Sequence, residues 1–341
     1  MSAKRLSLAL EEGEISLPPS GRILCLRARA DSDLALLPKD RCVVEQGFFP
    51  DYQALQARGW ECTVAAEGEF SAVIVFLTRS KAESRFLIAR ALDVTAGGPV
   101  LVDGQKTDGV DGVLKDCRKQ GADIGPVFSK SHGKLFAVFA KPEDFTPWLE
   151  ADKHFVDARF HTRSGAFSAE GVDKGSAALV AALPSNLGGR VADLGAGWGY
   201  ISWHVLQHPE VTECHLVEAE NIALECARRN VLDPRAHFHW ADATEFRAIR
   251  GFDNVVCNPP FHTGRAVDAG LGRAFIRTAA SILSPSGALW LVANRHLPYE
   301  ETLDQAFGKV EEVAGDRSFK VFRAIKPRSR RNAALPTGRK R

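Results

Sequence analysis

The second half of this chain contains the run Val191-Ala192-Asp193-Leu194-Gly195-Ala196-Gly197-Trp198-Gly199, which gives the clearest indication of its fold. Its apolar start predicts a buried strand, and its three glycines predict a tight loop at the end of that strand. Such a loop lets the backbone approach a nucleoside-bearing ligand where a side chain would not fit. Gly199 comes one residue too early for the dinucleotide fingerprint, which disfavours a nicotinamide cofactor. No Lys-Ser or Lys-Thr pair follows the loop, so a phosphate cradle is also disfavoured.

Strand and helix patterns alternate on both sides of this loop. Helices are predicted at about Tyr200–Gln207 and Asn221–Asn230. Strands are predicted at Arg190–Leu194, Cys214–Val217, Ala236–Trp240, Asn254–Asn258 and Ala288–Ala293, with a closing hairpin of Lys309–Val313 and Phe319–Ile325. The alternation predicts an α/β fold with a doubly wound, mostly parallel sheet and an antiparallel edge.

The first half of the chain repeats this order of strands without the same motifs. Four pairs of segments correspond: 21–26 with 189–194, 70–75 with 252–257, 98–102 with 287–291, and 133–138 with 318–323. Any two α/β domains share some likeness of this kind, but four matches in the same order favour duplication. In the first copy Arg27-Ala28-Arg29 stands where the glycine loop would be. We therefore expect two tandem Rossmann-like domains, the N-terminal one degenerate and without a cofactor.

The expected boundaries follow from these matches. Residues 1–152 form the degenerate domain, which serves packing and substrate recognition, and residues 153–326 form the catalytic domain. Residues 327–341 form a basic tail. From Lys326 to Arg341 the chain has seven Lys or Arg and no acidic residue, so the tail either contacts RNA phosphates or only aids solubility.

Asn258-Pro259-Pro260-Phe261 follows the predicted strand Asn254–Asn258 and is the candidate reacting site. The Asn258 amide oxygen and the Pro259 carbonyl can accept two N–H bonds from a planar amine. The ring of Phe261 can stack on the planar system that carries the amine. Together with the glycine loop, these groups indicate methyl transfer from S-adenosylmethionine to an exocyclic nitrogen of a base. A turn that merely ends a strand is the alternative.

Three acidic residues stand at the ends of successive predicted strands. Asp193 is placed to receive the ammonium group of the cofactor's methionine part, directly or through water. Glu218 is placed to accept from both ribose hydroxyls, and Asp242 from the adenine amino group. Together with Gly195, Gly197, Gly199 and Asn258, they form the predicted cofactor site.

Composition bounds the remaining possibilities. The chain has 341 residues, with 44 Lys and Arg against 42 acidic residues, so its net charge does not identify a polyanion-binding protein. Seven cysteines without a Cys-x-x-Cys pair indicate reduced core residues in a cytoplasmic protein. No apolar run reaches the length of a membrane span. His204 and His208 have helical spacing but no third ligand, so we expect no metal.

These motifs resemble those of the bacterial ribosomal RNA guanine-N2 methyltransferases, most closely the 16S small-subunit type that modifies guanine 1207. The resemblance covers nearly the full length of the chain, including a degenerate N-terminal copy. It also includes 165–168, 173–176, 258–262 and 319–324. It implies that the segment around Phe167–Gly175 packs beside the cofactor, so Phe167 joins the predicted cofactor site. It further implies ribosomal RNA or the small ribosomal subunit as the partner. We also expect a monomeric enzyme.

Other functions fit the same motifs. The first alternative is a 23S rRNA guanine-N2 methyltransferase. Asn-Pro-Pro-Phe is also similar in DNA adenine-N6 and protein glutamine-N5 methyltransferases. A non-catalytic RNA-binding assembly factor is the most distant alternative, because such a protein has no physical need for Asp193, Gly195, Gly197 and Asn258 together.

Overall fold

The structure is a computed structural model that describes residues 4–95, 97–260, 262–263, 266–267 and 269–328. It divides into two compact units. The first comprises Met1–His154 and Thr162–Ala169, and the second comprises Phe155–His161 and Glu170–Arg341. The chain therefore passes between the units more than once near the predicted boundary at residues 152 and 153. The roles assigned to the two domains stay predictions.

The first unit contains a seven-stranded sheet with helices between its strands. Its helices are α1 Arg5–Glu11, α2 Phe49–Ala57, α3 Lys81–Val94, α4 Val110–Lys119 and α5 Pro142–Glu150. Its strands are β1 Ile23–Leu26, β2 Cys42–Glu45, β3 Glu61–Thr63, β4 Ala72–Phe76, β5 Val100–Gln105, β6 Asp123–Lys130 and β7 Gly133–Phe139. A short two-stranded sheet follows, made of β8 Lys153–Val156 and β9 Phe160–Arg163.

The second unit contains another seven-stranded sheet and one short hairpin. Its helices are α6 Lys174–Ala182, α7 Tyr200–Val205, α8 Asn221–Asn230, α9 Ala269–Ile282 and α10 Glu300–Ala306. The sheet strands are β10 Gly189–Leu194, β11 Val211–Glu218, β12 Ala236–Trp240, β13 Phe252–Cys257, β16 Leu283–Asn294, β17 Phe307–Gly315 and β18 Phe319–Pro327. The hairpin pairs β14 His262–Thr263 with β15 Ala266–Val267.

Both large sheets have the same strand order. The first runs β3-β2-β1-β4-β5-β7-β6, and the second runs β12-β11-β10-β13-β16-β18-β17. In each sheet the first five strands run parallel, and the last two strands join the sheet through antiparallel pairing. The predicted fold class, two tandem doubly wound domains, is confirmed, as is the antiparallel edge formed by β17 and β18.

Side chains of the central strand β10 alternate between the two faces of the second sheet, as the period of a strand requires. Ala192 and Leu194 pack on one face with Phe275 and Ile276 of α9. Val191 packs on the other face with apolar residues of α6, α7 and α8. Because both faces are covered, the last four residues of β10 are buried, and Asp193 lies among them in the interior.

Two expectations from composition concern burial and membranes. Six of the seven cysteines are buried, and Cys62 is partly exposed, so most are core residues as expected. Among the described residues, no helix combines the length and apolarity needed to cross a bilayer.

Candidate functional site

The glycine loop and the Asn-Pro-Pro segment begin side by side. Strand β10 lies between β11 and β13, where the order of the parallel strands reverses, and ligands of doubly wound folds bind at such a point. Leu194 pairs with Cys257 at the ends of β10 and β13. Gly195 directly follows β10, and Asn258 directly follows β13. Two motifs separated by more than 60 residues in sequence thus open from one edge of the sheet.

The three glycines adopt backbone conformations that side chains disfavour. Gly195, Gly197 and Gly199 have φ values of 75°, 55° and 90°. A Cβ at Gly199 would lie 2.9 Å from Val231 Cγ2, so this glycine is needed for close packing. A Cβ at Gly197 would meet no atom of the described residues within 4 Å. The backbone at Gly197 therefore borders open space, which suits the close approach of a ligand.

Two side chains hold the loop in place. Glu218, at the end of β11, accepts N–H bonds from Gly197 at Oε2 and from Glu220 at Oε1, both at 2.8 Å. Asn230 Nδ2 donates to the carbonyl oxygens of Trp198 and His161 at 2.8 and 2.9 Å. Burial raises the pKa of the Glu218 carboxyl, while the N–H bonds from Glu220 and Gly197 act against that rise.

Asp193 lies beneath the loop with its side chain fully buried. Its Oδ2 accepts a hydrogen bond from Ser202 Oγ at 2.7 Å, and its Oδ1 has no partner among the described residues. Burial raises the pKa of this carboxyl to about 7; the Ser202 hydrogen bond lowers it and the nearby Glu218 carboxylate raises it. An unpaired buried carboxylate oxygen is costly, so the site favours a cationic or N–H-bearing ligand group.

Asp242 follows β12 by two residues. Its Oδ1 accepts from the backbone N–H and the hydroxyl of Thr244, at 2.8 and 2.7 Å. These bonds fix the orientation of the partly exposed carboxylate. The end of β12 is further anchored by Trp240 Nε1, which donates to the Ala219 carbonyl at 2.9 Å.

Asn258 is partly buried and its amide group is engaged on one side. Its Nδ2 donates to Asp173 Oδ2 at 2.8 Å and to Ser176 Oγ at 2.9 Å. No donor among the described residues reaches its Oδ1. Pro259 is buried and Pro260 is exposed. Phe261 lies outside the described residues, so its stacking role stays a prediction.

Phe167 belongs to the first unit, where its side chain is exposed. Its role beside the cofactor stays a prediction.

Sequence reasoning missed Ser202 and Asn230 and left Ser176 without a role. Their partners are 9, 32 and 82 residues away in sequence. No local pattern marks such contacts.

In the first unit, side chains occupy the position that corresponds to the glycine loop of the second unit. Arg27 follows β1 as Gly195 follows β10, and it has a φ of 60° although it is not glycine. Gln46 takes the position of Glu218: its Oε1 accepts from the Phe48 N–H at 2.8 Å, as Glu218 accepts from Glu220. The Arg27 guanidinium bonds to Gln46 Oε1 and to Glu83. An arginine side chain therefore lies where the second unit has glycine backbone.

One group of residues outside this site has the composition of a metal site. Ligand atoms of Glu213, His215 and His237 lie within 4.8 Å of one another. However, the rings of His215 and His237 are stacked at 24°, so the lone pairs in their ring planes do not point at one centre. Both ring nitrogens of His215 already face partners, Glu213 at 3.1 Å and His239 at 2.9 Å. This geometry does not support a metal centre there.

Known proteins resemble this chain in the region that contains these residues. The model of the methyltransferase small domain matches residues 157–323. The matched range contains the glycine loop, the three acidic residues and Asn258, and this chain is a methyltransferase.

The names of similar proteins specify a substrate, which the name of the domain model does not. The "Ribosomal RNA small subunit methyltransferase C" of Escherichia coli strain 55989 is 29% identical over 273 residues, covering 78% of each chain. The protein of the same name from Shigella flexneri serotype 5b is 29% identical over 263 residues, covering 75% of this chain and 76% of its own. These relatives confirm the resemblance drawn from the motifs.

A solved structure extends the likeness to both units. The Thermus thermophilus "16S rRNA N2 G1207 methyltransferase (RsmC) in complex with AdoMet and Guanosine" superposes with a TM-score of 0.74 at 22% identity. The match covers 95% of this chain and 93% of that one, so the two proteins share the fold along nearly their whole length.

Proposed function

We propose that this methyltransferase transfers the methyl group of S-adenosylmethionine to the exocyclic N2 amine of a guanine in 16S ribosomal RNA, guanine 1207. The observation that carries the proposal is the adjacency of Gly195 and Asn258 at the paired ends of β10 and β13. This adjacency supports the proposal because it brings backbone that suits a nucleoside and an amide that suits a base amine to one edge of the sheet.

The residues of the glycine loop suit S-adenosylmethionine. Open space at Gly197 accommodates the approach of the nucleoside, and Glu218 and Asp242 offer oxygens to the ribose hydroxyls and the adenine amino group. The unpaired Oδ1 of Asp193 favours the ammonium group of the methionine part. When bound, the cofactor supplies an electrophilic methyl group on a sulfonium centre.

Asn258 acts on the other reactant. The lone pair of a guanine N2 amine is delocalised into the ring, so the amine is a poor nucleophile. Two acceptors, Asn258 Oδ1 and the Pro259 carbonyl, would take its two N–H bonds and turn the lone pair toward the methyl group. Positioning of this kind requires no dedicated base, because proton loss follows methyl transfer. The target base must be unpaired or flipped out to reach the site.

The names of similar proteins support 16S rRNA as the substrate over the alternatives. The degenerate first unit fits a role in RNA recognition, since its loop position is filled by Arg27. We further infer a monomeric cytoplasmic enzyme that needs no metal. Sedimentation at working concentrations and activity in the presence of a chelator test these two points.

The decisive experiment replaces Asn258. Asn258→Ala should lower the single-turnover methylation rate roughly 10²–10³-fold, by analogy with the loss of one oriented hydrogen-bonding group in an oxyanion hole. Its affinity for S-adenosylmethionine, measured by calorimetry, should stay within about threefold of wild type and serves as the control. A near wild-type rate would reject the assignment of the amine to this amide.

The target is tested in cells. Mapping of N2-methylguanosine in ribosomal RNA with and without the gene should show one site lost from 16S rRNA. Loss from 23S rRNA instead would favour the large-subunit alternative, and loss of a DNA or protein methylation would favour the other two.

A further inference from the structure

Asp173 and Ser176 determine which end of the Asn258 amide faces the substrate. An asparagine amide has an accepting oxygen and a donating nitrogen of nearly equal size. Either end can therefore face a ligand unless neighbouring hydrogen-bonding groups fix the orientation of the amide. In this site Nδ2 donates to Asp173 Oδ2 at 2.8 Å and to Ser176 Oγ at 2.9 Å. Both N–H donors are thereby engaged within the protein.

The two partners do not constrain the amide equally. A hydroxyl both donates and accepts, so Ser176 alone would tolerate either amide orientation. An ionised carboxylate only accepts, and a reversed amide would place its oxygen against Asp173 Oδ2. Asp173 is therefore the partner that excludes the reversed orientation.

Local structure holds the Asp173 carboxylate where it can act on Asn258. Asp173 is the N-cap of α6, and its Oδ2 accepts the Ser176 N–H at 2.7 Å. A Cβ at Gly175 would lie 3.0 Å from that same oxygen and 3.1 Å from Phe319 Cε1. The sequence Asp173-Lys174-Gly175-Ser176 thus supplies a cap, the space beside it and the second acceptor.

We propose that Asp173 is a positioning and specificity-determining residue, which makes the site selective for a base that presents an N–H donor. By engaging Nδ2, Asp173 leaves Asn258 Oδ1 as the atom that faces the base. An exocyclic amine is then accepted, and a base without that amine loses the contact. The inference rests on the proposed function and names a residue that acts through Asn258, 85 positions away.

The test compares RNA substrates that carry guanosine or inosine at the target position, because inosine lacks only the 2-amino group. Wild-type enzyme should bind the guanosine RNA more tightly. Asp173→Ala should lower this preference about 3- to 10-fold, the worth of one ordinary hydrogen bond, since Asn258 can then reverse. Its methylation rate on guanosine RNA should fall while cofactor affinity is kept.

Asp173→Asn is the matched control. An Asn oxygen caps the helix as well as Asp does and still accepts from Asn258 Nδ2. The preference for guanosine should therefore remain. Ser176→Ala should have a smaller effect than Asp173→Ala, because the carboxylate is left in place.

The outcomes separate the inference from the proposed function. An unchanged guanosine preference in folded Asp173→Ala, or equal losses for both RNAs, would reduce Asp173 to a helix cap and overturn the inference. Loss of preference in Asp173→Asn as well would show that charge, not amide orientation, matters, and would also overturn it. Wild-type enzyme that shows no preference for guanosine would instead refute the proposed function.

Discussion

Glu218 Oε2 accepts the backbone N–H of Gly197 at 2.8 Å, so one carboxylate both shapes the glycine loop and borders the space that the loop encloses. The first unit has Gln46 in this position. Its Nε2 donates to the Ala28 carbonyl at 2.7 Å, and its Oε1 faces Arg27. The same fold thus holds an acidic residue in one unit and a neutral amide in the other.

Glu218→Gln should weaken S-adenosylmethionine binding about 10- to 100-fold, the usual worth of hydrogen bonds to a charged group. An amide nitrogen would also face one of the two backbone N–H groups that Glu218 now accepts. Calorimetry measures the affinity, and Gln46→Glu is the matched control that should leave it unchanged. A large loss of affinity in Gln46→Glu would place cofactor binding in the first unit as well.

Substitution by alanine should have different effects on stability and cofactor binding at Gly199 and at Gly197. Gly199→Ala should destabilise the protein by about 1–3 kcal/mol, because the new Cβ would crowd Val231 and Ala227 at a φ of 90°. Gly197→Ala has open space and should destabilise it less, yet it should weaken cofactor binding more. Urea unfolding and calorimetry together test the contrast. A Gly197→Ala variant with full affinity would show that the ligand does not approach the loop there.

Asp193 should make stability and cofactor binding depend on pH in opposite directions. Its pKa is about 7 in the folded protein and about 3.9 in the unfolded chain. The folded state therefore holds the proton more tightly, so stability falls as pH rises from about 4 through 7. Binding of a cationic ligand group favours the ionised form, so affinity should rise over the same upper range.

Asp193→Asn tests this dependence. The variant should be more stable than wild type by about 1–3 kcal/mol at pH 8 and nearly equal to it at pH 4, as measured by urea unfolding. It should bind S-adenosylmethionine weakly at every pH. Equal stability of the two proteins at pH 8 would contradict the raised pKa.

The stacked histidines His215, His237 and His239 on β11 and β12 should contribute to acid unfolding. Burial and, to a smaller extent, the neighbouring His215, His237 and Arg228 together lower the pKa of His239 to about 4. The unfolded chain therefore binds the proton more readily between pH 6.5 and 4, so stability is lost as pH falls through that window. His239→Phe should flatten the decline in unfolding midpoint between pH 6.5 and 4.5. A decline as steep as that of wild type would assign acid sensitivity to other groups.

Local patterns in the sequence determined much of the fold. Helix α8 and strand β12 have the bounds predicted for them, because periodicity, turn residues and strand length are properties of neighbouring residues. The glycine loop and the Asn-Pro-Pro segment could be placed at strand ends for the same reason. The four corresponding segments likewise predicted two sheets of one architecture, and the strand orders confirm it.

The hydrogen bonds that hold the side chains of the site could not be predicted without the tertiary structure. Asp193 accepts a hydrogen bond from Ser202, the loop accepts one from Asn230, and the Asn258 amide donates one to Asp173. These partners lie 9 to 85 residues apart in sequence. Likewise, the match between Gln46 and Glu218 appears only when the strands are paired, because the spacing between loop and strand differs in the two halves. The strand order of the sheet determines which strand ends lie side by side, and therefore which side chains can form hydrogen bonds. Patterns among neighbouring residues do not specify that order.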